Sequence, residues 1–490
     1  MKGFKFDFNN MMAFNVGPRH GVTPAELLGL KKAAAKAHAH LAFLKKDRAS
    51  RVPNSVEWLT LPYQDKKAYA DVEKLGREVA ATYESVISLG IGGSYLGLKA
   101  AQQALAEPYY NEFASGRGRR ARIYFEGNNL DPAPLATLLE NLDPRKTFVV
   151  VISKSGETTE TKAAFDVVEA WLKKGAGPHH GRQIFAITDP SSGTLRRRVD
   201  EEQKRDPLSF RNAPLLPGVG GRYSELNMGL LHLAMIGAPA GEALAGARAM
   251  AAACSRADLM KNPAYLYAAL HYLAYRRKGK PIAILMPFTE LLTATAEWYC
   301  QLLAESLGKK FERRIHVQPS GAEAWEANVS RRVNVGRTPV ATHGTTDLHS
   351  IQQNNVEGEN DKTVTMIRIK NFARDLKVPA AGGFLAGRSL SELLGLAQEA
   401  TAWALVRDQR PNSTITLDRL TPAAWGGLLF FFEMATAFEG ELLNVHAFDQ
   451  PGVESYKKYM LYKLKKPGIS QEVGEEIRKN PLKASPRFIL

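Results

Sequence analysis

Residues 149–161 read VVVISKSGETTET. Four β-branched apolar residues lead without a break into hydroxyls, charges and a single glycine. A short run of Val and Ile with no polar alternation is the pattern of a strand buried on both faces, as in a parallel sheet. The residues after it cannot continue a buried strand. They read as a loop that opens onto a following helix. The stretch therefore predicts a strand–loop–helix unit with a polar loop at the strand's carboxyl end.

The same unit recurs on either side. SVISLGIGGSYLG (85–97) is an apolar run ending in glycines and a serine, followed by the helical LKAAQQALAEP (98–108). RIYFEGN (122–128) and QIFAITD (183–189) supply further strands. A second series follows a helical stretch at 249–280. It comprises the strand PIAILMPF (281–288), the helix 290–310, a glycine-rich region at 335–349, the strand KTVTMIRI (362–369), and helices near 388–407 and 421–441. Short apolar strands alternating with helices predict α/β architecture, with doubly wound parallel sheets between helical layers. At 490 residues the chain is too long for one core. We expect an N-terminal helical segment (1–80), two sheet domains (81–248 and 249–445) and a C-terminal helical segment and tail (446–490). In the first segment Thr23 is the expected N-cap of a helix over 23–46, with Pro24 at its first position.

Composition narrows the function classes. Hydrophobic residues at 44% and charged ones at 23% suit a globular protein. The most apolar long stretch, 230–254, carries Glu242 and Arg248 and reads as buried helices rather than a membrane span. Cys254 and Cys300 are too few and too far apart for a disulfide framework or a zinc site, so a cytoplasmic location and no metal are expected. The net charge of +15 comes from basic clusters at 116–120, 196–198, 275–280 and 457–468. They are scattered and lie outside any reader motif, so an anionic small substrate accounts for them as well as nucleic acid does. No nucleic-acid or membrane partner is expected.

In open α/β sheets ligands collect at the carboxyl ends of the strands. GIGGSYLG places glycines at 90, 92, 93 and 97, a poor match to the dinucleotide fingerprint. The hydroxyls decide between readings. Ser94, Ser153, Ser155, Thr158 and Thr159 stand beside helix N-termini with Gly93 and Lys154, where backbone N–H groups already favour an anion. Helix capping would use one hydroxyl per helix. The excess favours a phosphate monoester.

With these loops in view, the chain resembles the glucose-6-phosphate isomerase family. GIGGSYLG, SKSGETTET, GGRYS (220–224), QLLAES (301–306), GTTDLHS (344–350) and FDQPGVESYK (448–457) occur in that family's order, over nearly all of residues 84–470. Glu157 in the phosphate loop departs from the residue many relatives carry. The resemblance implies two sugar-isomerase (SIS) domains, a homodimer, a sugar-phosphate substrate and no cofactor.

It also implies roles for particular residues. Glu305 shuttles the proton between C1 and C2, and the apolar run YCQLLAESLG suggests a partly desolvated site for it. Arg222, after two glycines, brings a permanent charge to the enediolate. His349, supplied by the partner subunit, and Lys457 open the ring. Glu160, Gln301 and Gln450 lie near the sugar hydroxyls, with Gln352 and Gln353 as less specific neighbours. A solvated glutamate on a helix flank is the plain alternative for Glu305. A non-catalytic sugar-phosphate regulator is the competing function. It would keep Ser94, Ser153 and Thr158 but lack the set Glu305, His349 and Lys457.

Overall fold

Val149–Ile152 belong to a six-residue strand buried along its whole length, which is how an unalternating apolar run satisfies both of its faces. The computed structural model describes residues 3–489, so the outermost residues of the two expected terminal segments lie outside the described residues. In chain order its strands are β1 (Phe4–Asp7), β2 (Ser85–Leu89), β3 (Arg122–Glu126), β4 (Thr147–Ile152), β5 (Ile184–Thr188), β6 (Arg211–Pro214), β7 (Ile282–Pro287), β8 (Lys309–Val317), β9 (Glu323–Val335), β10 (Thr338–Ala341), β11 (Lys362–Ile369) and β12 (Asn412–Leu417).

Two five-stranded sheets carry the fold, in the orders β3-β2-β4-β5-β6 and β1-β12-β11-β7-β10. Every pairing in the first is parallel. Ile87, Val149, Val151 and Ile184 pack under Phe165, Val168 and Leu172 of the helix Thr159–Ala176, which covers one face. Ile284, Met286, Val364 and Met366 form the matching core of the second sheet with Leu405. The two doubly wound sheets expected from the strand pattern are present.

A helix of 22 residues, Pro422–Leu443, is buried on nearly every side and lies between other helices. Its axis approaches the helix Ala240–Ala253 through glycine. A Cβ on Gly246 would stand 1.8 Å from the Ala423 carbonyl oxygen, and one on Gly426 would stand 2.1 Å from that of Ala243. The passage between halves expected at 248–249 falls inside this continuous helix Ala240–Ala253.

The structure corrects several sequence expectations. The N-terminal segment is not wholly helical, because β1 pairs antiparallel with β12 at the edge of the second sheet. Its alternating FKFD buries too little per residue to read as a core strand. Thr23 does cap a helix, with the Glu26 carboxylate returning to the Thr23 N–H at 2.8 Å, but this helix ends at Gly29 and a second spans Lys31–Lys46. The helix expected to reach residue 310 stops at Leu307. Gly308 ends it, and Lys309 begins the antiparallel hairpin β8–β9. The basic clusters at 196–198 and 275–280 are partly consumed internally: Arg196 pairs with Asp200, Arg198 with Glu169 and Lys278 with Glu26.

By contact the chain divides into two units, residues 1–447 and 448–490. The smaller contains the helices Glu454–Lys463 and Gln471–Lys479. Among the described residues no helix is long and apolar enough to cross a membrane.

Candidate active site

The chain leaves β2 to one side to form β3 and returns on the other side to form β4. This reversal of direction opens a crevice at the carboxyl ends of β2 and β4, which pair in parallel with Leu89 beside Val151. Both glycine- and hydroxyl-rich loops leave from that edge. They meet around Gly127, whose Cβ position is 3.5 Å from the Gly90 nitrogen and 3.4 Å from the Thr161 Cα.

In the loop after β4 the hydroxyls are organised by the backbone. Ser153 Oγ accepts the Gly156 N–H at 3.0 Å, and Ser155 Oγ accepts the Glu157 N–H at 3.1 Å. Each of these hydroxyls keeps its own proton to donate. Thr158 occupies the N-cap position of Thr159–Ala176, yet its side chain makes no capping bond. The Ser155 carbonyl holds the Thr194 N–H at 2.8 Å, which fixes the loop to the next strand's exit. Lys154 is exposed and Glu160 half-buried at the mouth of this turn. Buried Ser153, exposed Ser155 and half-buried Thr158 thus stand within six residues at a helix N-terminus, an arrangement suited to a dianion.

The loop after β2 presses onto the segment that carries Arg222. A Cβ on Gly93 would lie 2.1 Å from the Gly221 carbonyl carbon and 2.7 Å from the Arg222 nitrogen. Backbone, which cannot swing away, occupies that space. Gly93→Ala is therefore expected to cost about 1–3 kcal/mol of stability and to pull the loop off the arginine. Denaturant unfolding checks it, and an unchanged midpoint would remove Gly93 from the scheme. Ser94, in the same loop, directs its hydroxyl toward the Met228 sulfur at 3.9 Å.

Arg222 is 1% exposed, and its partners include Ser306, Glu305 and Ala447. Its Nε–H donates to Ser306 Oγ at 2.9 Å, its Nη1–H to Glu305 Oε2 at 3.1 Å, and its Nη2–H to the Ala447 carbonyl at 2.8 Å. The planar fork is used in three directions, which an ammonium could not copy. Gln301, one turn before Glu305, donates from Nε2 to Glu305 Oε1 at 3.0 Å, and its own Oε1 is buried with no partner among the described residues. That oxygen can accept a bond from a hydroxyl. The Cβ position of Gly92 (φ +60°) is 2.9 Å from Gln301 Nε2.

Glu305 does not sit in the apolar pocket suggested by its neighbours in sequence. Leu302, Leu303 and Leu307 turn into the core, while the carboxylate remains 27% exposed between Arg222 and Gln301. A helix separates residues by face, so an apolar run does not imply an apolar setting for its one acid. Sequence reasoning missed Ser306, whose hydroxyl accepts from Arg222 and lies 3.1 Å from Tyr223 Oη. A lone serine in LLAESL was the available signal.

Arg222, Glu305, Gln301 and Gly93 are thus joined directly, with Ser94 in the loop that carries Gly93. Ser153, Lys154, Ser155, Thr158 and Glu160 lie at the neighbouring strand's exit. His349 ends the turn Thr346–His349 after β10 and is exposed, and no described hydrogen bond or ion pair joins it to Glu305 or Arg222. Gln352 accepts from Asn355, and Gln353 donates to Glu357 at 2.7 Å, so both serve their own helix turn. In the smaller unit Gln450 precedes the turn Pro451–Val453, and Lys457 pairs with Glu454 at 2.9 Å.

The model of the phosphoglucose isomerase family matches residues 67–325 and 385–476. A glucose-6-phosphate isomerase of Carboxydothermus hydrogenoformans is 37% identical over 99% of this chain and 99% of its own. One of Symbiobacterium thermophilum is 34% identical over 95% of this chain and 99% of its own. Among solved structures, a hypothetical protein of Thermus thermophilus is 31% identical with a TM-score of 0.77, covering 94% of this chain and 99% of that one. A glucose-6-phosphate isomerase of Chlamydia trachomatis shares the fold at a TM-score of 0.76 and 21% identity, covering 98% of this chain and 92% of that one.

Proposed function

The chain belongs to the phosphoglucose isomerase family, and from that premise we propose how its residues divide the work of interconverting glucose 6-phosphate and fructose 6-phosphate. The protein is an aldose–ketose isomerase. Ring opening, transfer of a proton between C2 and C1, and stabilisation of the enediolate are the three tasks.

Ser94, Ser153, Ser155 and Thr158, with Gly93 and Lys154, hold the phosphate at the strand edge. Glu305 takes the proton from one carbon and returns it to the other. Arg222 stands over the oxygen that gains charge, a fixed cation already oriented before substrate arrives. Gln301, Glu160 and Gln450 position the sugar hydroxyls. Lys457, and His349 from a second copy of the chain in a homodimer, open the ring. Unpaired Cys254 and Cys300 suit a cytoplasmic location.

The observation that carries this reading is the contact of Glu305 Oε2 with Arg222 Nη1 at 3.1 Å, beside the glycine loop of β2. A proton carrier and a fixed cation then address neighbouring atoms of one substrate. A sugar-phosphate regulator has no use for such a pair.

The direct test is formation of glucose 6-phosphate from fructose 6-phosphate by the purified chain, read through a coupled dehydrogenase. No turnover would refute the assignment. Ser155→Asp tests the phosphate end separately. A carboxylate about 4 Å from the phosphate opposes it, so KM is expected to rise roughly tenfold or more with kcat less affected. An unchanged KM would move the phosphate elsewhere.

A further inference from the structure

Beneath Arg222 lies a second carboxyl that the proton transfer does not use. Glu225 is 1% exposed, and its Oε1 accepts the Trp298 indole N–H at 2.7 Å. Its Oε2 is buried with no hydrogen-bond partner among the described residues. Glycine at position 97 makes room for it, since a Cβ there would stand 2.0 Å from Glu225 Cγ. Glu433, 2% exposed on the helix Pro422–Leu443, is a third carboxyl, close enough for the charge of Glu225 to act on it.

The Arg222 guanidinium is the cation whose charge acts on Glu225, and it is already committed to Glu305, Ser306 and the Ala447 carbonyl. Burying an unpaired carboxylate is costly, and carboxyls that share a dry site cannot all ionise. The other charges on the elements packed against Glu225 are accounted for. Lys99 pairs with Glu297, and Glu57 pairs with Arg51. Glu439 pairs with Arg337, and Glu441 with Arg313 and His40. Burial holds His232 neutral and keeps Tyr223 protonated.

We propose that Glu225 keeps its proton through turnover and so leaves the charge of Arg222 to Glu305 and the enediolate, which makes Glu225 a positioning residue for the reaction. The proposal rests on the isomerase reading of the site. Burial pushes the carboxyls of both Glu225 and Glu433 above the ordinary carboxylate range. Glu225 therefore ionises only as pH rises past neutral. Its new anion then competes for Arg222, and kcat falls on the alkaline side. Stability follows the same sign: a buried acid with a raised folded pKa costs nothing below its unfolded pKa and costs progressively more as pH rises from there to the folded value.

The test compares kcat of wild type and Glu225→Gln from neutral to alkaline pH. The amide can accept from Trp298 but cannot ionise. The ratio of variant to wild-type kcat is expected to grow roughly tenfold between about pH 7 and about pH 9.5, because only the wild type loses its neutral form. A constant ratio would overturn the proposal. Infrared spectra give a second reading that needs no turnover. At neutral pH the wild type, and a Glu433→Gln variant in which Glu225 is the remaining acid of the pair, should both show the carbonyl band of a protonated carboxyl. Absence of that band in both would also overturn it, whether or not Glu225→Gln folds. Failure of the wild type to isomerise hexose phosphates would instead defeat the reading of the site and leave the infrared result standing.

Discussion

Glu305→Gln is expected to lower kcat about 10³- to 10⁴-fold, the size associated with removing a positioned acid–base group, while KM stays within a few-fold. The amide fills the same volume, and its carbonyl can accept the Arg222 N–H now given to Oε2 at 3.1 Å. Once the Gln301 amide turns its buried Oε1 toward the new NH2 in place of Nε2, the rest of the ground-state geometry holds and the proton carrier is lost. The phosphate loop after β4 is untouched, which is why KM should hold. Exchange of the C1 and C2 hydrogens with solvent deuterium, followed by NMR, should stop to the same degree. Wild-type rates in the variant would return Glu305 to an ordinary solvated helix residue.

The sequence pattern exposed most of the strands that are buried on both faces, and β3 beside them, and concealed most of the others. β2, β4, β5 and β7 are largely apolar runs with buried positions at nearly every residue, and β11 is as buried although Lys362, Thr363, Thr365 and Arg368 interrupt it. β12, NSTITL, lies inside its sheet yet is polar in composition, because Ser413 and Thr414 meet neighbouring side chains rather than water alone. Thr365 Oγ1 lies 3.3 Å from Ser413 Oγ, and the Gln398 amide donates to Thr414 Oγ1 at 3.2 Å. The hairpin β8–β9 is charged along both strands and stands mostly in solvent, so neither period of apolar residues marks it. β1 and β6 are four-residue edges, too short for a pattern.

The chemistry was legible in a similar, uneven way. The hydroxyls of 153–159 are local in sequence and were visible as a group. The junction of Gly93 with Gly221 and of Arg222 with Ser306 joins parts far apart in the chain. No single segment reveals it. Glu225 is the sharpest instance, since an acid in GGRYSELNM reads as a helix-start residue on the surface. Only the fold shows that Trp298 and the backbone at Gly97 enclose it.

Mixing two inactive variants should restore activity, and the amount recovered depends on which chain supplies His349. If the chain forms the proposed homodimer, the Glu305→Gln and His349→Ala proteins are each expected to be nearly inactive. Suppose each site takes Glu305 from one subunit and His349 from the other. Unfolding and refolding the two proteins together in equal amounts then gives heterodimers as half of the population. In each heterodimer one site receives both defects and the other receives neither. Recovery should therefore approach about one quarter of wild-type kcat per site, a gain of several hundred-fold over either parent. Within one chain His349 is exposed at the end of the turn Thr346–His349, so it is open to a second copy. If both residues served the same site from one chain, every heterodimer site would carry a defect and no activity would return. That outcome would separate His349 from the partner's site while leaving the role of Glu305 intact.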